Sequence, residues 1–389
     1  MSQTLQKNAT RAFTALALAA FGTAALGYKL YADDPDSENA RASQKQATTL
    51  PGAPTLVRQA SQAARKEGEP VHESITAMAF GCMEHDLEKC QWEKQVPEQV
   101  LLGLRWNDNP IFEPEPDTYT YDLRCFRALQ IVDMTNGSVC WAAVFFDAER
   151  LARRGHRFDA DNNSDMLSRV HFGDLQFIHA MASRNDELTR ETQANILAWV
   201  EYLYKIAAGK NTAFDEKIAV SFPKLAHVFG KNQFTPRKLM RTWSTPKDSD
   251  YLPQMALGSL LHTVEDSYPA GHVERGTETS PQCQRIEGFS APGKIVSFHA
   301  YNNQKSSSHE KQDRMDAARN QILQGGINNP VLAVRKVTQL VNARAEWAEA
   351  EPVFACIFDI VDPQARSGPG DEFKRPLCYP RGGRNPTDC

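Results

Sequence analysis

No charge of one sign dominates this chain, no internal repeat runs through it, and no close C-x-x-C pair occurs among its cysteines. Each lack excludes something. A formal net charge of −4, from 44 basic and 48 acidic residues, gives no general attraction to a polyanion, although a local basic groove fits inside such a sum. Without paired cysteines, the cysteine-rich zinc sites of small structural domains are not expected. Strand signals are sparse, and no second segment has the apolar pattern of a core of its own. What is present is 389 residues, 41% hydrophobic and 24% charged, enough to bury the core of one large domain.

The N-terminus reads as a targeting segment. Lys7 and Arg11 precede "AFTALALAAFGTAALG", which carries no charge until Lys29, the layout of a secretory signal. Residues 1–32 are therefore expected to be a signal peptide ending at Ala25 or Ala32, or else an uncleaved anchor, and the protein is expected to be secreted or periplasmic. Eight cysteines, an even set, agree with export and point to disulfides. Cys82 with Cys90, and Cys125 with Cys140, are plausible by proximity, but about 105 connectivities are open.

Residues 33–70 are polar and read as a linker. From residue 71 apolar residues recur at spacings of three and four, as in "RVHFGDLQFIHAMAS", "DELTRETQANILAWVEYLYKIAAGK", "LPQMALGSLLHTVEDS" and "HEKQDRMDAARNQILQGGI". The expected fold is all-α: a helical domain over 71–350, then an irregular, cysteine-containing extension over 351–389. Alternation around Asn136-Gly137, between Thr118 and Asp147, predicts one small inserted β-hairpin.

Candidate chemistry sits in "GSLLHTVEDSYPAGHVER". His262 and Asp266 share one helix face a turn apart, and Pro269 breaks the helix so that His272 can swing back toward them. Among the ten histidines, His262 and His309 are the two with an aspartate at i+4, Asp266 and Asp313. One such pair is weak; two of them, with His272, supply imidazole nitrogens and carboxylate oxygens suited to zinc, with a position left for water or substrate.

The order His, Asp, His, then His-x-x-x-acid, resembles the zinc-dependent phospholipase C family and the single-strand-specific zinc nucleases of the same fold, over roughly residues 71–320. The segments "WND" and "HTxxDS" resemble the secreted bacterial phospholipases C in particular. The resemblance implies two to three zinc ions. It assigns His72 of the first helix, Asp108 of the "WND" loop and His171 of the "HF" segment as further ligands, with Asp159 and Asp161 as alternatives to Asp108. It implies that Asp266 bridges two zincs, with His262, His171 and Asp108 on one, His72 near the third position, and His272, His309 and Asp313 on the other. Asp266 and Asp108 are then the catalytic carboxylates, Asp108 as general base. The family's N-terminal tryptophan ligand has no counterpart before His72; Glu73 is a candidate replacement.

Of the other histidines, His179 lies on the apolar "LQFIHAM" face and is expected to be a core histidine. His85, His156 and His227 are expected on the surface, His299 near the substrate, and Trp106 packed beneath its loop. The implied activity is hydrolysis of phosphatidylcholine-like phospholipids by a metal-activated water, with peripheral membrane contact and no obligate protein partner. The alternative is a zinc nuclease with nucleic acid as partner, for which "RKLMRTW", Arg237 to Trp243, offers a short basic and aromatic run.

Overall fold

The computed structural model describes residues 71–375, apart from 87–89, 91, 111–147, 150, 163–164, 232–233, 242–248 and 324–326. The expected signal, linker, hairpin, Cys125, Cys140, Cys378 and Cys389 lie outside the described residues. Within them the chain is mainly α-helical: α1 (Val71–Ala79), α2 (Glu98–Trp106), α3 (Met166–Phe172), α4 (Thr189–Ala207), α5 (Leu252–Glu265), α6 (Ser306–Gln312), α7 (Met315–Leu323), α8 (Pro330–Asn342) and α9 (Trp347–Ile357), with several shorter turns. No described helix is long and apolar enough to cross a membrane.

Helix α5 runs through the middle of the fold. Pro253 in its first turn costs no hydrogen bond there, and the run from Met255 to Glu265 is buried throughout. It crosses α2 at a distance only glycine permits. A Cβ on Gly258 would stand 2.0 Å from the Val100 carbonyl oxygen, and one on Gly103 would stand 2.0 Å from that of Met255. On its other side α5 packs against α4, whose buried Ile196, Trp199, Val200, Leu203 and Ile206 recur at helical spacing. Helix α8, capped by the Asn329 side chain and started by Pro330, covers α1.

Two runs that read as continuous helices are broken, and a third break parts the last two helices. Gly173 ends α3 and Arg169 secures the break, gripping both carboxylate oxygens of Asp174 at 2.8 Å. The chain stops being helical at Gln312 and resumes at Met315, leaving Asp313 in the gap. Arg344, with φ of 49°, separates α8 from α9. Helix α9 crosses the expected boundary at residue 350 and joins the core through Val353, Phe354 and Ile357.

A two-stranded antiparallel sheet, β1 (Val273–Arg275) with β2 (Ile295–Phe298), follows α5. The C-terminal segment lies along it, through bridges from Ile295 to Ile360, His299 to Gly368 and Gln304 to Lys374. Disulfides join Cys82 to Cys90, as proximity suggested, and Cys283 to Cys356, which ties the loop after β1 to α9. Such bonds belong to an oxidising compartment.

Candidate metal centre

The "WND" stretch shows how the sequence builds the site. At the end of α2, Trp106 is buried against Trp199 and donates its indole N–H to the Leu239 carbonyl at 2.8 Å. The Asn107 amide donates to the Ile178 carbonyl at 3.0 Å, and its oxygen accepts from the Ser259 hydroxyl at 2.6 Å. The two residues before Asp108 are thus tied to three separate segments, which positions it. Its carboxylate lies 3.8 Å from His262 Nε2 and 3.9 Å from His179 Nδ1.

Asp266 occupies the centre. One oxygen is 2.8 Å from His179 Nδ1 and 3.0 Å from His262 Nε2, and the other is 3.4 Å from His72 Nε2. His272 is brought in by the turn at Pro269. That turn is clamped by the half-buried Arg275 guanidinium, which donates to the carbonyls of Ser267, Gly293 and Ile357 and to the Ser267 hydroxyl, with the Tyr268 ring against it. The last two histidines and Asp313 adjoin: Asp313 is 3.0 Å from His309 Nε2 and 3.6 Å from His272 Nε2.

Ligand atoms thus gather in three groups, each within 4.8 Å: His72, His262 and Asp266; Asp108, His171 and His179; His272, His309 and Asp313. The third is the grouping expected. The first two differ from it, because His262 groups with His72 and its expected place beside Asp108 and His171 is taken by His179. The two groups adjoin, with His262 Nε2 and His179 Nδ1 3.2 Å apart.

His179 is a correction: it is buried on an apolar face, as expected, but its polar edge points into the cluster. In a continuous helix His171 and His179 would be about 12 Å apart along the axis. The break at Gly173 brings their ring centres to 5.2 Å. Asp159 and Asp161 lie elsewhere, Asp159 bonding the Asn162 amide and Asp161 pairing with Lys231. Glu73 is turned to Arg105 at 2.9 Å and is in none of the three groups. His299 is buried against Phe373, and its backbone N–H donates to the His272 carbonyl. His85, His156 and His227 are exposed.

Each of the six clustered histidines anchors one ring nitrogen on an oxygen that is not one of the grouped ligand atoms. Nδ1 of His171, His262 and His272 meets the carbonyls of Leu167, Leu104 and His179 at 2.7–2.9 Å, and Nδ1 of His309 meets Gln304 Oε1 at 2.6 Å. His179 reverses the pattern, placing Nε2 3.1 Å from the Asn107 carbonyl. His72 Nδ1 rests on Glu265 Oε2 at 2.6 Å. An oxygen acceptor holds the proton of a neutral imidazole on the outward nitrogen, so the inward nitrogen presents its lone pair. Both Asp313 oxygens are buried without a hydrogen-bond partner among the described residues. Inward lone pairs facing buried carboxylates make a donor set that fits a divalent cation, and imidazole with carboxylate suits zinc among several transition metals.

Electrostatics show the same demand for positive charge. Burial drives the Asp266 carboxyl up, yet His262, His272 and His179 hold it well below the usual carboxylate range. Asp313 is drawn down to about 2 by His309 and His272 against the same opposing burial. Burial pushes His272 down, but Asp266 and Asp313 raise it to about 9. At His171 burial wins, aided by His179, and lowers the imidazole to about 3. No family model, curated protein or solved structure matches the chain.

Proposed function

We propose that this protein is a zinc-dependent phosphodiester hydrolase, a phospholipase C that cleaves phosphatidylcholine-like lipids on the glycerol side of the phosphate. The observation that carries the reading is Asp266, whose carboxylate lies 2.8–3.4 Å from the inward-facing imidazole nitrogens of His72, His179 and His262, delivered by three different segments. Zinc held there supplies Lewis acidity toward phosphoryl oxygens and brings a bound water toward a pKa of about 7.

The chain's own residues supply the remainder. Asp108, Asp266 and Asp313 place three carboxylates among these groups, so a phosphodiester anion is repelled unless cations are bound first. Asp108, 3.8 Å from His262 and 3.9 Å from His179, is the carboxylate placed to accept the proton. Half-buried Tyr301 stands edge-on to His309 at 4.7 Å and to buried Phe172 at 5.4 Å, beside the third ligand group. The disulfides fit action outside the cytosol, with the membrane met peripherally.

The nuclease alternative loses part of its motivation. Arg237 is committed to both carboxylate oxygens of Asp215, at 2.7 and 2.9 Å, and Trp243 lies outside the described residues. The test is to purify the exported chain, count metals by elemental analysis, and assay phosphatidylcholine vesicles beside single-stranded DNA before chelation, after it and after zinc return. Lipid turnover that stops on chelation and returns with zinc supports the proposal. Turnover indifferent to chelation rejects it, and turnover of DNA alone transfers the assignment to the nuclease.

A further inference from the structure

We infer that Glu265 is a positioning residue for the His72–His262–Asp266 group, a buried carboxylate that orients His72 and strengthens it as a donor without itself facing the cation. The inference rests on the metal reading of the cluster. Five of the six clustered histidines anchor their outward nitrogen on a neutral carbonyl or carboxamide oxygen. His72 anchors on an ionisable carboxylate, at 2.6 Å and with both partners buried.

The placement follows from helix geometry. His262, Glu265 and Asp266 occupy one turn of α5, so a single turn supplies two inward groups and the carboxylate behind a third. Helix α1 reciprocates with His72 and, four residues later, Thr76, whose hydroxyl donates to Glu265 Oε1 at 2.7 Å. One carboxylate oxygen is thereby held by Thr76 while the other receives the His72 N–H. Glu265 is outside all three ligand groups, so its charge acts through His72. A hydrogen bond to a charged acceptor is roughly twice as strong as one to a neutral acceptor, and it makes the opposite ring nitrogen a stronger donor. Loss of such an outer partner typically costs about 10–100-fold in metal affinity.

A purely structural Glu265 would behave differently. Its role would then be to satisfy His72 and Thr76, and replacement would weaken the fold whether or not metal is present. As a positioning residue it acts on zinc affinity itself, so a neutral isostere should release one metal equivalent more readily, beyond any change in the metal-free fold.

The experiment uses the full chain with zinc alone as probe, in zinc-buffered solutions of decreasing free metal, with elemental analysis of the bound equivalents. Glu265→Gln is expected to lose one equivalent at about 10–100-fold higher free zinc than the parent, leaving the others unmoved. Metal-free melting temperatures of both proteins, read alongside, separate a loss of fold from a loss of zinc affinity. Thr76→Val keeps the carboxylate but removes its clamp, and is expected to shift the same equivalent by a smaller factor. With cobalt in place of zinc, both variants should alter the absorption of one site only. Unchanged zinc retention in both variants overturns the inference, as does a metal-free Glu265→Gln that melts lower with its zinc affinity intact. A parent chain that binds no zinc at all overturns the metal reading itself, and so is distinguishable from either result.

Discussion

His179 Nδ1 lies 2.8 Å from Asp266 Oδ2, across 87 residues of chain, and that contact joins the turn after α3 to the end of α5 at the heart of the cluster. If both side chains hold a cation, His179→Ala should lower phosphodiester hydrolysis by at least about 100-fold and remove one metal equivalent. His156→Ala, at an exposed position, is the matched control and should leave both unchanged. An active His179→Ala protein with full metal content would return this histidine to the core.

The response to pH should have opposite signs with and without metal. His272 is pushed down by burial but raised to about 9 by Asp266 and Asp313, and burial of His72 is likewise overcome by Asp266 and Glu265. A raised folded-state value gives stability that is complete below about 6.5 and is lost as pH rises toward about 9. The metal-free chain should therefore melt lower at pH 9 than at pH 6.5. Zinc competes with protons for the same nitrogens, so its affinity increases over that interval. The melting-temperature difference between loaded and chelated protein is expected to widen from pH 6.5 to 9, and a narrowing gap would contradict the assignment.

Acid should also weaken the chelated protein. Burial lowers His171 to about 3 and His299 to about 4, so below about 6.5 the unfolded chain takes up protons that the folded chain refuses. Melting temperatures of the metal-free form should pass through a maximum near pH 6.5. A monotonic profile would show that these imidazoles do not stay neutral in the fold.

The crossing of α2 and α5 leaves no room for a methyl group. Gly258→Ala is expected to cost about 3 kcal/mol, because the added carbon meets backbone atoms of Val100 and Gly103 that cannot swing aside. Metal content should fall as well, since separating the helices pulls the Leu104 carbonyl from His262 Nδ1. Urea unfolding with elemental analysis checks both, and full stability would refute the close crossing.

The Cys283–Cys356 bond should matter to stability and not to the metal groups. Replacing both cysteines by serine is expected to lower unfolding free energy by about 2–4 kcal/mol, as loss of a bond closing a 73-residue separation does. Neither cysteine is in a ligand group, so the folded variant should keep its metal equivalents.

Much of the helical frame was legible. The pattern from Asp186 to Lys210 reads as one amphipathic helix and becomes α4, Thr189–Ala207. The β1–β2 pair was not foreseen, since strands of three and four residues are too short to display alternation. Nor was the split between α6 and α7, where the helical spacing of apolar residues runs past Asp313 without a mark. Neither His179 nor Glu265 stands out in the sequence as part of a site, for one shared reason. A histidine or glutamate on a buried helical face has the same local sequence whether it is a satisfied core residue or part of a cation site.

Local spacing alone placed His262 a turn from Asp266 and His309 a turn from Asp313, because side chains four residues apart share a helix face wherever the helix sits. Pro269 likewise announced that α5 stops. Which imidazoles meet which carboxylates belonged to the tertiary structure. The glycine crossing of α2 on α5, the grip of Arg275 on the turn before His272, and the rivet at Asn107 fix segments far apart in sequence to within hydrogen-bonding distance. Contacts of that kind depend on packing between elements, which no window of sequence contains.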